Sequence, residues 1–263
     1  MKQTSYFMML INLDGFSISI RIKQIVARIG DAHTTIGAPV NYIFPLYFLW
    51  MEDGLFVTGA DQEHEQLIGS KVETINGVPV EQVLALLAPL ISHENKQWLL
   101  KESTQLLRNP EVLKFIGVVS NIKVASFTFS CKDGKKETTE IPSFPAHKKL
   151  NTIYYDTHFN ISLPLSQLKE MNSKNYAYQY LPNYNTVYFK YNVCRESEHQ
   201  PFAEFCKEMF DLIRKENVAH IIIDLRTNPG GDWIYFNRSF LPKLATSRVK
   251  QNENVYILIG RGT

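Results

Sequence analysis

The run AHIIIDLRTNPGGD, residues 219–232, decides the fold. Three consecutive isoleucines, Ile221 to Ile223, leave no polar face, so the segment reads as a strand buried on both sides rather than a half-exposed one. Its tip is charged at Asp224 and Arg226, and the turn beyond carries Pro229, Gly230 and Gly231. Upstream lie a strand, TVYFKYNV at 186–193, and the helix pattern PFAEFCKEMFDLIRKEN at 201–217. Phe202, Phe205, Cys206, Met209, Leu212 and Ile213 fall on one face of that helix, and Pro201 suits its first turn. Downstream, a second helix pattern from Trp233 to about Leu244 leads to a closing apolar strand, Val255 to Ile259. Strand, helix, strand, helix, strand with continuous apolar strands predicts a largely parallel sheet covered on both faces, so the last third is α/β.

The earlier part is less regular. Ile18, Ile22, Ile25, Val26 and Ile29 recur at helical spacing, and Gly30 is a natural C-cap. An aromatic strand region follows from Tyr42 to Trp50, interrupted by Pro45. Two strands, Leu55 to Thr58 and Lys71 to Ile75, precede an Asn76-Gly77 turn and a helix from Val80 to about Leu90. Further helical turns are expected over 95–117, and VASFTFSCKDGKKETTEI reads as a hairpin with Asp133-Gly134 as a type I′ turn, where both central residues need positive φ. Residues 142–184 are rich in Pro, Asn and Tyr and read as a connector with a strand or two.

Composition excludes several classes. With 44% hydrophobic and 21% charged residues, the chain is an ordinary globular protein rather than a disordered or fibrous one. A net charge of +2, with basic clusters no larger than Lys132, Lys135 and Lys136, gives no reason to expect nucleic acid or an anionic membrane surface as partner. Cys131, Cys194 and Cys206 lack metal-site spacing, and neither they nor the histidines predict a metal. No motif calls for a cofactor: the glycine turn is neither a Walker A loop nor G-x-G-x-x-G. No apolar run reaches the length of a membrane span, and the patch Tyr6 to Ile11 is too short for a signal peptide. As written, a cytoplasmic place is expected, with an extracytoplasmic one open if a segment upstream is missing.

Two stretches could carry chemistry. The turn after Asp224 lies at the carboxyl end of a buried strand, where α/β folds place ligands, and the Gly230-Gly231 pair can turn its N–H groups toward an anion. A plain strand-to-helix turn is the competing reading. GDAHTT at 30–35 sets Asp31, His33, Thr34 and Thr35 directly after a helix end, an arrangement that suits a general base steadied by a carboxylate or hydroxyl, or simply a capping turn. His64, in HEQLI, misses the second histidine of H-E-x-x-H and reads as part of a solvated loop, whereas His220 reads as structural.

Taken in order, IVARIGDAHTTI, LIGSKVETINGVPVEQVLALL, IIIDLRTNPGGD and NVYILIGRGT resemble the S41 peptidases, the family of tail-specific or C-terminal processing proteases and the tricorn core protease. The likeness runs from about residue 18 to the last strand, and D-L-R-x-N-P-G-G at 224–231 is its most specific element. It implies an α/β, crotonase/ClpP-like catalytic core, incomplete in these residues, with a helical N-terminal segment and a PDZ-like insert. The corresponding divisions are 1–50, carrying the GDAHT motif, 51–142 for the insert with its helices and hairpin, 143–184 for the connector, and 185–263 for the core.

The resemblance further implies a serine-type peptidase acting on peptides or unstructured protein. His33 would be the general base, Asp31 and Thr34 candidate orienters, and the backbone N–H of Gly230 or Gly231 part of an oxyanion hole. Gly54, Leu55 and Phe56 would contribute to substrate binding. In the family, the strand matching NVYILIG runs into a turn bearing the nucleophilic serine. No serine stands at 259–263, so the 263 residues by themselves are expected to lack activity. Two alternatives stand beside this. One is a non-catalytic peptide-binding module using GLFV at 54–57 for strand addition. The other is a binder of small apolar ligands on the same fold. An unpaired closing strand would also invite self-association.

Overall fold

The computed structural model describes residues 14–131, 134–154, 170–251 and 254–262; the expectations for Tyr6 to Ile11 and the middle of the connector lie outside them. The chain divides into two units, 1–157 and 158–263. Among the described residues no helix is long and apolar enough to cross a membrane.

The first unit opens with α1, Gly15–Ala27, whose N-cap Asp14 accepts a hydrogen bond from the Ser17 amide at 2.7 Å. The isoleucine stripe expected to face the core does not. Ile18, Ile22, Ile25 and Ile29 are 37, 46, 66 and 63% exposed, whereas Ile20 and Lys23 are buried. Phe16, Ile20 and Lys23 anchor the helix at i, i+4 and i+7, and a position two residues on is rotated by about 200° to the opposite side.

Strands β1 Tyr42–Ile43, β2 Leu46–Trp50, β3 Leu55–Asp61, β4 Lys71–Ile75 and β5 Val78–Pro79 follow. Asn76 and Gly77 both have positive φ, 48° and 78°, as their turn requires, and α2, Val80–Leu87, starts immediately after. Helices α3, Lys96–Leu106, and α4, Pro110–Phe115, are capped by Asn95 and Asn109. The hairpin is β6 Val124–Ser130 and β7 Lys136–Pro142, then come β8 Phe144–Pro145 and β9 Thr152–Tyr154. The sheet order is β2-β3-β4-β6-β7, with β5 on β4 and β9 on β3, while β1 pairs β8 apart from it. Alternation in β6 sends Ala125, Phe127 and Phe129 inward, where Phe127 meets Phe44 edge-on at 5.4 Å.

Beyond the strands the Cys131 amide bonds Lys135 O, the Gly134 amide bonds Cys131 O and Gly134 takes φ 82°; Asp133 of the expected turn lies outside the described residues.

In the second unit β10, Tyr176–Leu181, pairs antiparallel with β11, Thr186–Tyr191; β12, His220–Asp224, and β13, Val255–Leu258, extend the sheet in parallel. Helix α5, Phe202–Lys215, covers one face with the expected residues, except that Phe210 is buried and Leu212 only partly so. It packs on Val187, Phe189, Ile221 and Ile223. The opposite face carries Tyr188 and Ala177 together with the buried polar Thr186, Lys190 and Asp224.

The second helix region is broken. A π turn, Phe236–Phe240, precedes α6, Leu241–Thr246, because Pro242 offers no N–H and crowds the carbonyl one turn back. Nor is the closing strand buried: Tyr256 and Ile257 are 51 and 57% exposed, since β13 is the sheet edge with only β12 beside it among the described strands.

Candidate functional site

The two motifs sit in different units. In the first, Gly30 takes φ 75° and ends the approach from α1, and Asp31 organises the turn. Its Oδ1 accepts from the His33 amide at 3.1 Å, its Oδ2 from Thr34 Oγ1 at 2.6 Å, and its carbonyl from Ser92 Oγ at 2.7 Å. The Thr34 hydroxyl first, and then the His33 amide, hold the Asp31 carboxyl below the usual carboxylate range. The His33 ring is 96% exposed, with Nδ1 3.6 Å from Asp31 Oδ1, beyond hydrogen-bond length. Thr34 therefore steadies Asp31, and Asp31 fixes the backbone under His33 rather than clamping the ring. Glu94 Oε1 takes the Ala32 amide at 3.3 Å, bringing a second carboxylate beside the turn. Ligand atoms of Asp31, His33 and Glu94 gather within 4.8 Å, a grouping the spacing of the sequence did not suggest.

In the second unit, Asn228 locks the glycine turn. It is 7% exposed; its Nδ2 donates to Tyr191 O at 3.0 Å and its Oδ1 accepts the Gly230 amide at 2.7 Å. Cys194 then straps the turn from the side: its amide bonds Gly230 O at 3.0 Å and its carbonyl takes the Asp232 amide at 2.8 Å. Gly231, at φ 125°, lies so close that a Cβ there would meet Cys194 O at 2.4 Å. Of the two expected oxyanion donors, the Gly230 N–H is thus engaged internally, and the Gly231 N–H has no acceptor among the described residues. At Gly260, just past β13, a Cβ would stand 2.5 Å from Arg226 O, so this end of the strand runs against the same turn.

Beneath the turn is an ionic cluster of which the sequence showed only the tip. Asp224 is fully buried and accepts from Arg226 Nε at 2.9 Å, Arg226 Nη2 at 2.6 Å, the Arg226 amide at 3.0 Å and Tyr188 Oη at 2.5 Å. Burial alone would raise its pKa, but the Arg226 and Tyr188 hydrogen bonds outweigh that and hold the carboxyl far below the usual range. Lys190, directly across the ladder and 3% exposed, has Nζ 3.6 Å from Asp224 Oδ2, and burial pushes its pKa down. A lysine inside the otherwise apolar TVYFKY was the available signal.

Two further expectations change. His64 is not in a solvated loop: it is 7% exposed, with Nδ1 2.5 Å from Asp61 Oδ1, and the pair closes the end of β3. Gly54, Leu55 and Phe56 offer no edge for strand addition, because Leu55 and Phe56 pair with Trp50 and Leu49 on one side and with Val72 and Lys71 on the other. Leu55 is fully buried, so the GLFV stretch is core.

No family model and no curated protein matches the chain. Among solved structures, mature CPAF aligns over 87% of this chain and 49% of its own at 13% identity and a TM-score of 0.56. The complex of mature CPAF with lactacystin aligns over 81% and 47% at 13% identity and a TM-score of 0.53. The photosystem II D1 C-terminal processing protease aligns at a TM-score of only 0.26 and carries no weight. The chain spans about half the length of the structures it matches. What it shares with mature CPAF is a mixed α/β fold.

Proposed function

We propose that these residues supply part of a serine-type peptidase site of the S41, tail-specific kind, acting on peptides or unstructured protein. The core would be crotonase/ClpP-like and 51–142 a PDZ-like insert. The observation that carries the reading is the NPGG turn. Asn228 and Cys194 hold it rigid and Asn228 spends the Gly230 N–H, while the Gly231 N–H is left for an external acceptor. A preorganised backbone donor of this kind stabilises a tetrahedral oxyanion, and losing one costs about 3–4 kcal/mol of transition-state stabilisation. The motif order around it and the fold shared with mature CPAF support the same reading.

In this reading His33 takes the proton from a serine hydroxyl, which is a weak nucleophile until a base shares its proton. Its open ring leaves Nε2 accessible, with Nδ1 3.6 Å from Asp31 Oδ1. The protein that carries these residues should cleave unfolded protein in a way that a serine reagent blocks, and His33→Ala should lower the rate by about 10²–10⁴-fold. Unchanged cleavage in that variant overturns the base assignment, and absence of any cleavage overturns the reading.

A further inference from the structure

Two histidines of the first unit stand beside an aspartate, and they do so differently. His64 Nδ1 meets Asp61 Oδ1 at 2.5 Å with both side chains buried, a closed pair. His33 Nδ1 stops 3.6 Å from Asp31 Oδ1 with its ring open to solvent, too far for a hydrogen bond. That gap is instead near the edge of a metal tetrahedron, because ligands about 2.0–2.2 Å from a zinc ion lie about 3.3–3.5 Å from each other. Glu94 completes the group, with ligand atoms of all three residues within 4.8 Å of one another. Two hydrogen bonds tie its loop to the Asp31 turn: Ser92 Oγ donates to Asp31 O at 2.7 Å, and the Ala32 amide to Glu94 Oε1 at 3.3 Å. Among the described residues no lysine or arginine pairs with Asp31 or Glu94, so two negative charges share this corner without a fixed cation.

One imidazole nitrogen with two carboxylate oxygens is a donor set for a borderline ion such as Zn²⁺, whereas Mg²⁺ and Ca²⁺ favour oxygen alone. Asp31 Oδ1 keeps a lone pair beyond its bond to the His33 amide, and the exposure of His33 and Glu94 leaves room for water as a fourth ligand. We propose that Asp31, His33 and Glu94 bind a divalent ion of the zinc kind, with His33 ligating through Nδ1, and that the bound ion withholds His33 from proton transfer. An imidazole that gives its Nδ1 lone pair to a metal keeps its proton on Nε2. Nε2 is then a donor and cannot take the proton of a serine hydroxyl, so the ion acts as a reversible brake. The binding follows from the geometry of the first unit alone; the brake rests on the peptidase reading.

The untagged 263-residue chain is titrated with Co²⁺, whose visible bands report the coordinating atoms, and with Zn²⁺ by calorimetry, with Mg²⁺ and Ca²⁺ as controls. One Zn²⁺ per chain should bind and displace Co²⁺, and neither control ion should compete. Losing even an outer partner of a metal ligand costs about 10–100-fold in affinity, so Glu94→Gln and His33→Ala should each weaken Zn²⁺ binding by at least that much. His93→Ala should leave it unchanged, since the Nδ1 of this neighbouring histidine is engaged with Ile91 O at 2.7 Å. In the protein that carries these residues, Zn²⁺ should stop cleavage and a chelator should restore it. Glu94→Gln, which keeps an oxygen for the Ala32 amide, should cleave at the native rate without the ion and need about tenfold more Zn²⁺ for inhibition. Absence of Zn²⁺ binding overturns the site, as does binding that is equally tight in Glu94→Gln and His33→Ala or equally weakened in His93→Ala. Inhibition as strong in Glu94→Gln as in the native protein overturns the brake. If nothing cleaves, the peptidase reading falls and the brake with it, while the titrations still decide the site.

Discussion

Replacing Asp224 by Asn keeps the side chain's shape and removes one charge, and the structure sets out what that costs. The carboxylate takes four hydrogen bonds, three from Arg226 and one from Tyr188, and lies 3.6 Å from the Lys190 ammonium. In the amide, Oδ1 can still accept from the Arg226 amide or Nε, but Nδ2 is a donor facing the donor Nη2. Lys190 and Arg226 would then be two cations beside each other with no anion between them. Removing one partner of a buried pair costs about 3–5 kcal/mol. The Arg226 side chain is 25% exposed, so water takes over part of its solvation, and the lower end, about 3 kcal/mol, is expected.

At a urea dependence of about 1–3 kcal/mol per M, the unfolding midpoint should fall by about 1–3 M. Fluorescence and circular dichroism followed together would show whether the second unit unfolds apart from the first. Tyr188→Phe, which removes one of the four bonds, should cost about 1–2 kcal/mol. Lys190→Met should be close to neutral, because its 3.6 Å contact repays little of its burial. A midpoint for Asp224→Asn within about 0.5 M of the native one would refute the reasoning, as would a loss in Lys190→Met as large as that in Asp224→Asn.

The same cluster fixes the sign of an acid response. A carboxyl whose folded pKa is depressed contributes stability above its unfolded pKa, near 3.9, and loses it as pH falls toward the folded value. The urea midpoint should therefore drop below about pH 4, and Asp224→Asn should flatten that part of the curve. Gly231→Ala should destabilise more than Gly230→Ala. Both carry the strain of positive φ, about 1–3 kcal/mol, but only Gly231 meets a carbonyl at 2.4 Å while Gly230 faces open space; equal losses on thermal unfolding would remove the clash from the account. His33→Ala should leave stability within about 0.5 kcal/mol, since the ring is 96% exposed, so any loss of cleavage in that variant can be read as chemistry.

Much of the fold was legible because its signals are local. The Asn76-Gly77 turn, the start of α2 and the buried face of α5 follow from residues a few positions apart, where periodicity and turn chemistry act directly. The same holds for the continuous apolar β12 and the glycine turn after it. The misreadings concern which side of an element the rest of the fold covers. The α1 stripe has the right period, but Phe16, Ile20 and Lys23 fixed which side faces in. GLFV has the composition of a binding strand, but strands 46–50 and 71–75 already pair with it on both sides. His64 lacks the spacing of a metal motif, and its buried partner, Asp61, lies three residues before it at the end of a strand.

At the candidate site the division is the same. The sequence by itself determined that a glycine pair follows a buried strand and that Asp31, His33 and Thr34 share one turn, because both are properties of contiguous residues. Only the tertiary structure decided that Asn228 occupies the Gly230 N–H while Cys194 straps the turn, and that Asp224 is clasped by Arg226 and Tyr188. Hydrogen bonds and ion pairs are satisfied by whatever the fold brings within about 3 Å, and a linear pattern carries no record of that distance.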